Sequence, residues 1–152
     1  MKVYNSGLMK IRKATTADID AMSMLIDQLF SIEQDFTPDQ LKQRMGLEKL
    51  LAVPDAYLVV AEVEGEVVGM ATLQILISTA EGGRCGLIED VVVDKSCRGQ
   101  GIGQALMDDL IHWADKKGVT RLQLLADRDN QPALDFYAKR GWSMTRLIAL
   151  RK

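Results

Sequence analysis

At 152 residues, with 47% hydrophobic and 26% charged residues, the chain suits one soluble domain large enough to bury a real core. Its net charge of −2 speaks against a general attraction to nucleic acid or to an anionic membrane. Two cysteines, Cys85 and Cys97, are too few for a disulfide framework, and no apolar run reaches the roughly 18 residues of a membrane span.

Residues 1–7 read as a loose start, and residues 8–14 alternate apolar and charged side chains as a short strand does. Thr15 or Thr16 can cap a helix with Asp18 and Asp20 in its first turn, and Ile19, Met22, Leu25, Ile26, Leu29 and Phe30 then form one apolar stripe. Thr37 caps and Pro38 opens a second helix that runs to about residue 51. Strands follow over residues 57–63 and 67–79, joined by the hairpin signal Glu64-Gly65-Glu66. A turn at 80–83 leads into a strand over 84–94. The helix after Gly103 carries Ala105, Leu106, Leu110, Trp113 and Ala114 at helical spacing and closes at Lys116-Lys117-Gly118. A strand over 120–126, a helix over 131–139 and a last strand over 142–150 complete the chain. No repeat, low-complexity tract or linker divides it, so residues 1–152 are expected to form a single domain. The order β-α-α-β-β-β-α-β-α-β predicts an α+β fold with a mixed sheet, hairpins in the middle and crossovers later.

The chemistry concentrates between Leu87 and Trp113. An apolar β-branched strand is followed by the polar link Asp94-Lys95-Ser96-Cys97 and then by Arg98-Gly99-Gln100-Gly101-Ile102-Gly103 at a helix N-terminus. Glycines there let the backbone approach a bulky anion, and the helix dipole adds partial positive charge. A phosphate or pyrophosphate is the natural ligand. The nucleotide P-loop fails, because Gln104-Ala105 stands where it needs Lys-Ser/Thr. The dinucleotide fingerprint is weakened by Gln104 at its third glycine and by the four polar residues between Val93 and the loop.

At every defined position the segment resembles the Gln/Arg-x-x-Gly-x-Gly/Ala loop of the GNAT acetyltransferases, which grips the pyrophosphate of acetyl-coenzyme A. Asn130-Gln-Pro-Ala-Leu-Asp-Phe-Tyr137, ending in Gly141-Trp142, resembles the later motif of that superfamily. The two stand in family order and spacing. The resemblance covers residue 57 to the C-terminus well and the first fifty residues only in general pattern. It implies the GNAT acyl-CoA N-acyltransferase fold, a mixed central β-sheet flanked by helices. It also implies an acetyl-CoA-dependent N-acetyltransferase that acts on a primary amine by direct attack in a ternary complex.

The resemblance gives roles to particular residues. Val91, Val92 and Val93 would offer main-chain groups to the pantetheine arm and an N–H to the oxyanion, where the strand is expected to splay from its neighbour. Arg98, Gly99, Gln100, Gly101, Ile102 and Gly103 would hold the pyrophosphate. Tyr137 would protonate the departing thiolate, since a phenol with a reference pKa near 10 is protonated at neutral pH; it could instead be a half-buried aromatic bonded to water. Glu89 is the candidate base, placed by alternation with Val91 and Val93, with Asp90 on the opposite face; it could equally be a solvated strand carboxylate. Asn130 would cap the following helix and touch the cofactor. His112 reads as a surface or packing residue, Cys97 as an inert thiol, and no metal site is expected.

Glu33, Asp35 and Asp39 around Phe36 could attract a cationic amine or form an ordinary solvated loop. The acceptor, a small-molecule amine or a protein or peptide amine, is not named by the sequence. The expected protein is cytoplasmic and has no nucleic-acid or membrane partner. The apolar segment 142–150, with little after it to cover an edge, predicts a homodimer. Two other functions compete: a non-catalytic acyl-CoA-binding sensor module, opposed by Tyr137 together with the full loop, and the dinucleotide binder already weakened.

Overall fold

A computed structural model of the chain describes residues 8–152; the loose start expected at residues 1–7 lies outside them. The centre of the fold is a meander built by tight turns. Strands β2 (Ala56–Val63) and β3 (Glu66–Ser78) meet at Glu64 and Gly65, both with positive φ (52° and 83°), the backbone that a two-residue hairpin turn requires. Strand β1 (Met9–Lys13) pairs antiparallel with β2, and β4 (Gly83–Val93) pairs antiparallel with β3. Strand β5 (Arg121–Leu124) joins β4 in parallel, so the sheet order is β1-β2-β3-β4-β5. A parallel neighbour needs a crossover, and helix α3 (Ile102–Lys116) supplies it.

The sheet is covered on both faces. Leu58 and Val60 of β2 pack with Met22, Leu25, Ile26 and Leu47 from helices α1 (Ile19–Ile32) and α2 (Gln40–Leu51). Val59, Ala61 and Val63 point the other way, against Leu106, Met107 and Leu110 of α3. Burial on both faces explains why β2 reads as a continuous apolar run rather than an alternating one. Helix α4 (Gln131–Ala138) lays Phe136 and Tyr137 against the α3 side of this core. The expected α+β class with a mixed sheet and flanking helices is therefore the observed one.

Two expectations change. Helix α2 is capped by Asp39, whose side chain accepts from the Lys42 amide at 3.1 Å, and not by Thr37; Pro38 precedes the helix. Residues 142–150 form no strand. Met144, Leu147, Ile148 and Leu150 stand 78–90% exposed, and β5, the nearest open edge in the sheet order, pairs only with β4. An apolar pattern can propose a strand, but a ladder needs a partner.

Candidate active site

The glycine loop takes its shape from three features. Asp94 accepts from the Ser96 amide at 2.8 Å and turns the chain away from β4. The Arg98 guanidinium Nε donates to the Val93 carbonyl at 3.0 Å, which ties the loop back to the strand end. Gly99 and Gly101 then adopt φ of 76° and 80°, a left-handed backbone that glycine enters without strain. Gly101 is also the N-cap of α3 and, lacking a side chain, leaves that helix without a side-chain cap. The first amides of a helix have no intrahelical partner, so this end faces outward as an uncapped set of donors at the positive end of the dipole. Gly103 serves packing: a Cβ there would lie 3.3 Å from the Phe136 ring.

β4 outlasts β5. Their pairing ends at Ile88 opposite Leu124, and the five residues Glu89 to Val93 continue with no β5 partner. This is the splay expected near Val91, Val92 and Val93, and it leaves main-chain groups along that edge outside the ladder. On its other side β4 stays paired with β3, but with a bulge. Met70 faces Val92 while Thr72 faces Glu89, so three steps along β4 match two along β3. Asp90 sits in the bulge with φ of 52°. Without it, Ile88 and Val92 would share a face; instead Ile88 belongs to the α3-side core and Val92 to the α1–α2 side.

An open cleft occupies the gap between the diverging strands. β4 contributes Glu89, Asp90 and Val91, and the segment after β5 contributes Leu125, Ala126 and Asp127. Glu33 from the end of α1, with Asn130 and Tyr137, completes the wall. Sequence alternation put Glu89 on one face with Val91 and Val93 and Asp90 on the opposite one. The bulge overturns both: Val91 and Val93 pack with Ile88 against the α3-side core, Glu89 does not share their face, and Glu89 and Asp90 line one cavity. Their neighbouring carboxyls differ in setting: Glu89 is exposed, whereas Asp90 is partly buried and accepts from the Thr72 hydroxyl at 3.3 Å. Desolvation, then the charge of Glu89, pushes Asp90 up to about 6. Glu33 is also pushed up, first by desolvation and then by Asp90, Asp127, Asp35 and Glu89.

Because folded Asp90 holds its proton to higher pH than an ordinary carboxyl, its effect on stability is unfavourable above that range. The loss develops as pH rises through about 6. Asp90→Asn should therefore raise the melting temperature at neutral pH, and the gap should close below about pH 4, where both side chains are neutral. Equal melting temperatures at neutral pH would show that Asp90 ionises freely in the fold.

Tyr137 presents its hydroxyl to the cavity wall without a hydrogen bond to any described residue. Desolvation, then the charge of Glu33, pushes its phenol up to about 12, so it keeps its proton across the physiological range. Its ring packs edge-on against Phe136 and Trp142 at centroid distances of 5.2 and 6.0 Å. Asn130 lines the cavity and also caps α4, its side-chain oxygen accepting from the Ala133 amide at 3.2 Å.

The other candidates lie apart. Of the acidic cluster expected around Phe36, Glu33 alone reaches the cavity; Asp39 caps α2 and Asp35 is exposed. His112 is exposed on α3, and both cysteines are buried free thiols. Among the described residues no group of three or more His, Cys, Asp or Glu could hold a metal ion, and no helix is long and apolar enough to cross a membrane. Sequence inspection set Asp90 aside on the wrong face, and it gave no role to Asp127 in the cavity or to Arg140 at the loop. Arg140 lies 3.6 Å above the Phe136 ring and hydrogen-bonds Gln104 in the first turn of α3. A basic residue directly before Gly141-Trp142 was the available signal.

Comparison with known proteins adds independent findings. The family described as Acetyltransferase (GNAT) family matches residues 22–142. Glucosamine 6-phosphate N-acetyltransferase of Trypanosoma brucei brucei is 43% identical over 79 residues, which cover 51% of this chain and 52% of that enzyme. The matched stretch thus spans about half of that relative's length. Aminoalkylphosphonate N-acetyltransferase of Salmonella typhimurium is 29% identical over 136 residues, 90% of this chain and 86% of its own. Among solved structures, an aminoglycoside acetyltransferase from an uncultured soil metagenomic sample superposes with a TM-score of 0.79 at 24% identity, over 97% of each chain, a likeness of fold alone.

Proposed function

The chain belongs to the GNAT acetyltransferase family, and from that premise we propose that it moves an acetyl group from acetyl-coenzyme A to a primary amine by direct attack in a ternary complex. The observation that carries this reading is the junction of two sites on one strand. β4 leaves a cavity lined by acidic residues and bordered by Tyr137, and the link from Asp94 to Gly101 then leads to the uncapped N-terminus of α3. Arg98, Gly99, Gln100, Gly101, Ile102 and Gly103 take the pyrophosphate there. The pantetheine arm lies along the unpaired edge of Val91, Val92 and Val93, beside Asn130, and brings the thioester to the cavity.

In the transfer the amine nitrogen bonds to the thioester carbonyl carbon and the C–S bond breaks. The ammonium form has no lone pair, so a proton must leave first, and Glu89, exposed at the cavity, accepts it directly or through water. A backbone N–H of the free β4 edge stabilises the oxyanion. Tyr137 gives its proton to the departing thiolate. The relatives' names specify different amines, and no single acceptor is carried over from them.

The test is calorimetric titration with acetyl-CoA followed by thiol release across an amine panel. Binding with amine-dependent thiol release supports the reading. Binding without release on any amine would leave the acyl-CoA sensor as the better description, and binding of NAD in place of acetyl-CoA would overturn both.

We also propose a cytoplasmic homodimer, with no nucleic-acid or membrane partner. The support for the dimer is the segment 142–150, whose four exposed large apolar side chains and lack of any ladder fit burial against a second copy. Light scattering at micromolar concentration should give twice the 16.9 kDa of one chain. A mass of one chain would refute the dimer.

A further inference from the structure

Four acidic residues, contributed by three separate parts of the chain, line the cavity beside Tyr137. Glu33 comes from the end of α1, Glu89 and Asp90 from β4, and Asp127 from the segment between β5 and α4. No lysine, arginine or histidine lines it, and none of the four has an ion-pair partner among the described residues. They do not converge as metal ligands would; they are spread around an open cleft. The space is a site on grounds other than its charge, namely the strand edge that β5 leaves unpaired and the Tyr137 hydroxyl that no described residue engages. Folding has thus gathered negative charge around this space without supplying counter-charge.

From this we infer that the acetyl acceptor is a compact diamine or polyamine, a primary amine carrying at least one further ammonium group and no carboxylate or phosphate near the reacting nitrogen. The inference rests on the acetyl-transfer reading above and adds the acceptor's class. A single ammonium would offset only part of the cavity's charge, whereas a second, a few ångströms away, would meet another wall. The second ammonium has a chemical benefit too: a nearby like charge disfavours protonation of the first amine, which eases release of the proton that blocks attack. An anionic substituent would be repelled by the same four groups.

The experiment compares 1,4-diaminobutane, butylamine, 4-aminobutyrate and 2-aminoethylphosphonate as acceptors, with saturating acetyl-CoA and the whole chain. The diamine should exceed butylamine in kcat/KM by on the order of tenfold, with both anionic amines below butylamine. The advantage should shrink as salt is raised. Glu33→Gln and Asp127→Asn should each raise KM for the diamine more than for butylamine, with acetyl-CoA affinity kept. An anionic amine equal to or better than the diamine would overturn the inference, as would a diamine no better than butylamine. If no amine is turned over, calorimetry of the same four compounds on CoA-saturated protein decides. Tighter binding of the diamine than of butylamine keeps the cation-binding cavity while the transfer reading falls, and equal or absent binding overturns both.

Discussion

Tyr137→Phe is expected to slow acetyl transfer by about 10²-fold or more, the usual scale for losing a positioned general acid. Fold and acetyl-CoA affinity should both survive. The substitution deletes one hydroxyl that bonds to no described residue, and it keeps the ring that packs against Phe136 and Trp142. Since the phenol sits near 12, its protonated form does not vary over the assay range, so the loss should be the same at every physiological pH. Glu89→Gln probes the other proton. It should cost most at the acidic end of the active range, where the amine is fully protonated and a base matters most. Near-normal turnover by Tyr137→Phe on a verified acceptor would mean that solvent protonates the sulfur. Loss of cofactor affinity along with rate would mean that the hydroxyl positions the thioester instead.

Gly101→Val should raise the dissociation constant for acetyl-CoA by about tenfold or more while the circular dichroism spectrum stays that of a folded chain. Gly101 has φ of 80°, a conformation that costs a side-chain-bearing residue about 1–2 kcal/mol and a β-branched one more. A Cβ there meets nothing within 4 Å, so the change does not crowd the protein itself. The penalty falls on the shape of the loop and on the space in which a phosphate would sit. Gly103→Val acts by a different route, pressing on Phe136 from 3.3 Å, and should disturb α4 as well. Unchanged affinity in folded Gly101→Val would place the phosphates elsewhere.

What the sequence revealed and what it hid divide along a physical line. The α1 stripe, the Glu64-Gly65 turn and the glycine loop were legible because each is decided by residues within one turn of helix or one tight bend. The strand expected at 142–150 was not realised because a strand is a relation between two segments, and its partner is not written in its own pattern. Asp90 was misplaced for the same reason. Alternation holds while a strand runs in step with its neighbour, and the slip opposite Ala71 belongs to the pairing of β3 with β4. Within the cavity, Glu89, Asn130 and Tyr137 could be named in advance, while Glu33 was grouped with Asp35 and Asp39, which lie nearby in sequence but elsewhere in space. Choosing among those three needed the path of α1.

The extra residue at Asp90 also sets a rule of parity for this strand. On one side of it, odd and even positions mean one assignment of faces; on the other side they mean the reverse, as Ile88 and Val92 in opposite cores attest. Deleting a single residue between Glu89 and Val91 would therefore not merely shorten the strand. It would turn every side chain on one side of the deletion over, sending Val92 towards α3 or Ile88 towards α1. Lengths that differ by two at this point can preserve the two cores, and lengths that differ by one cannot.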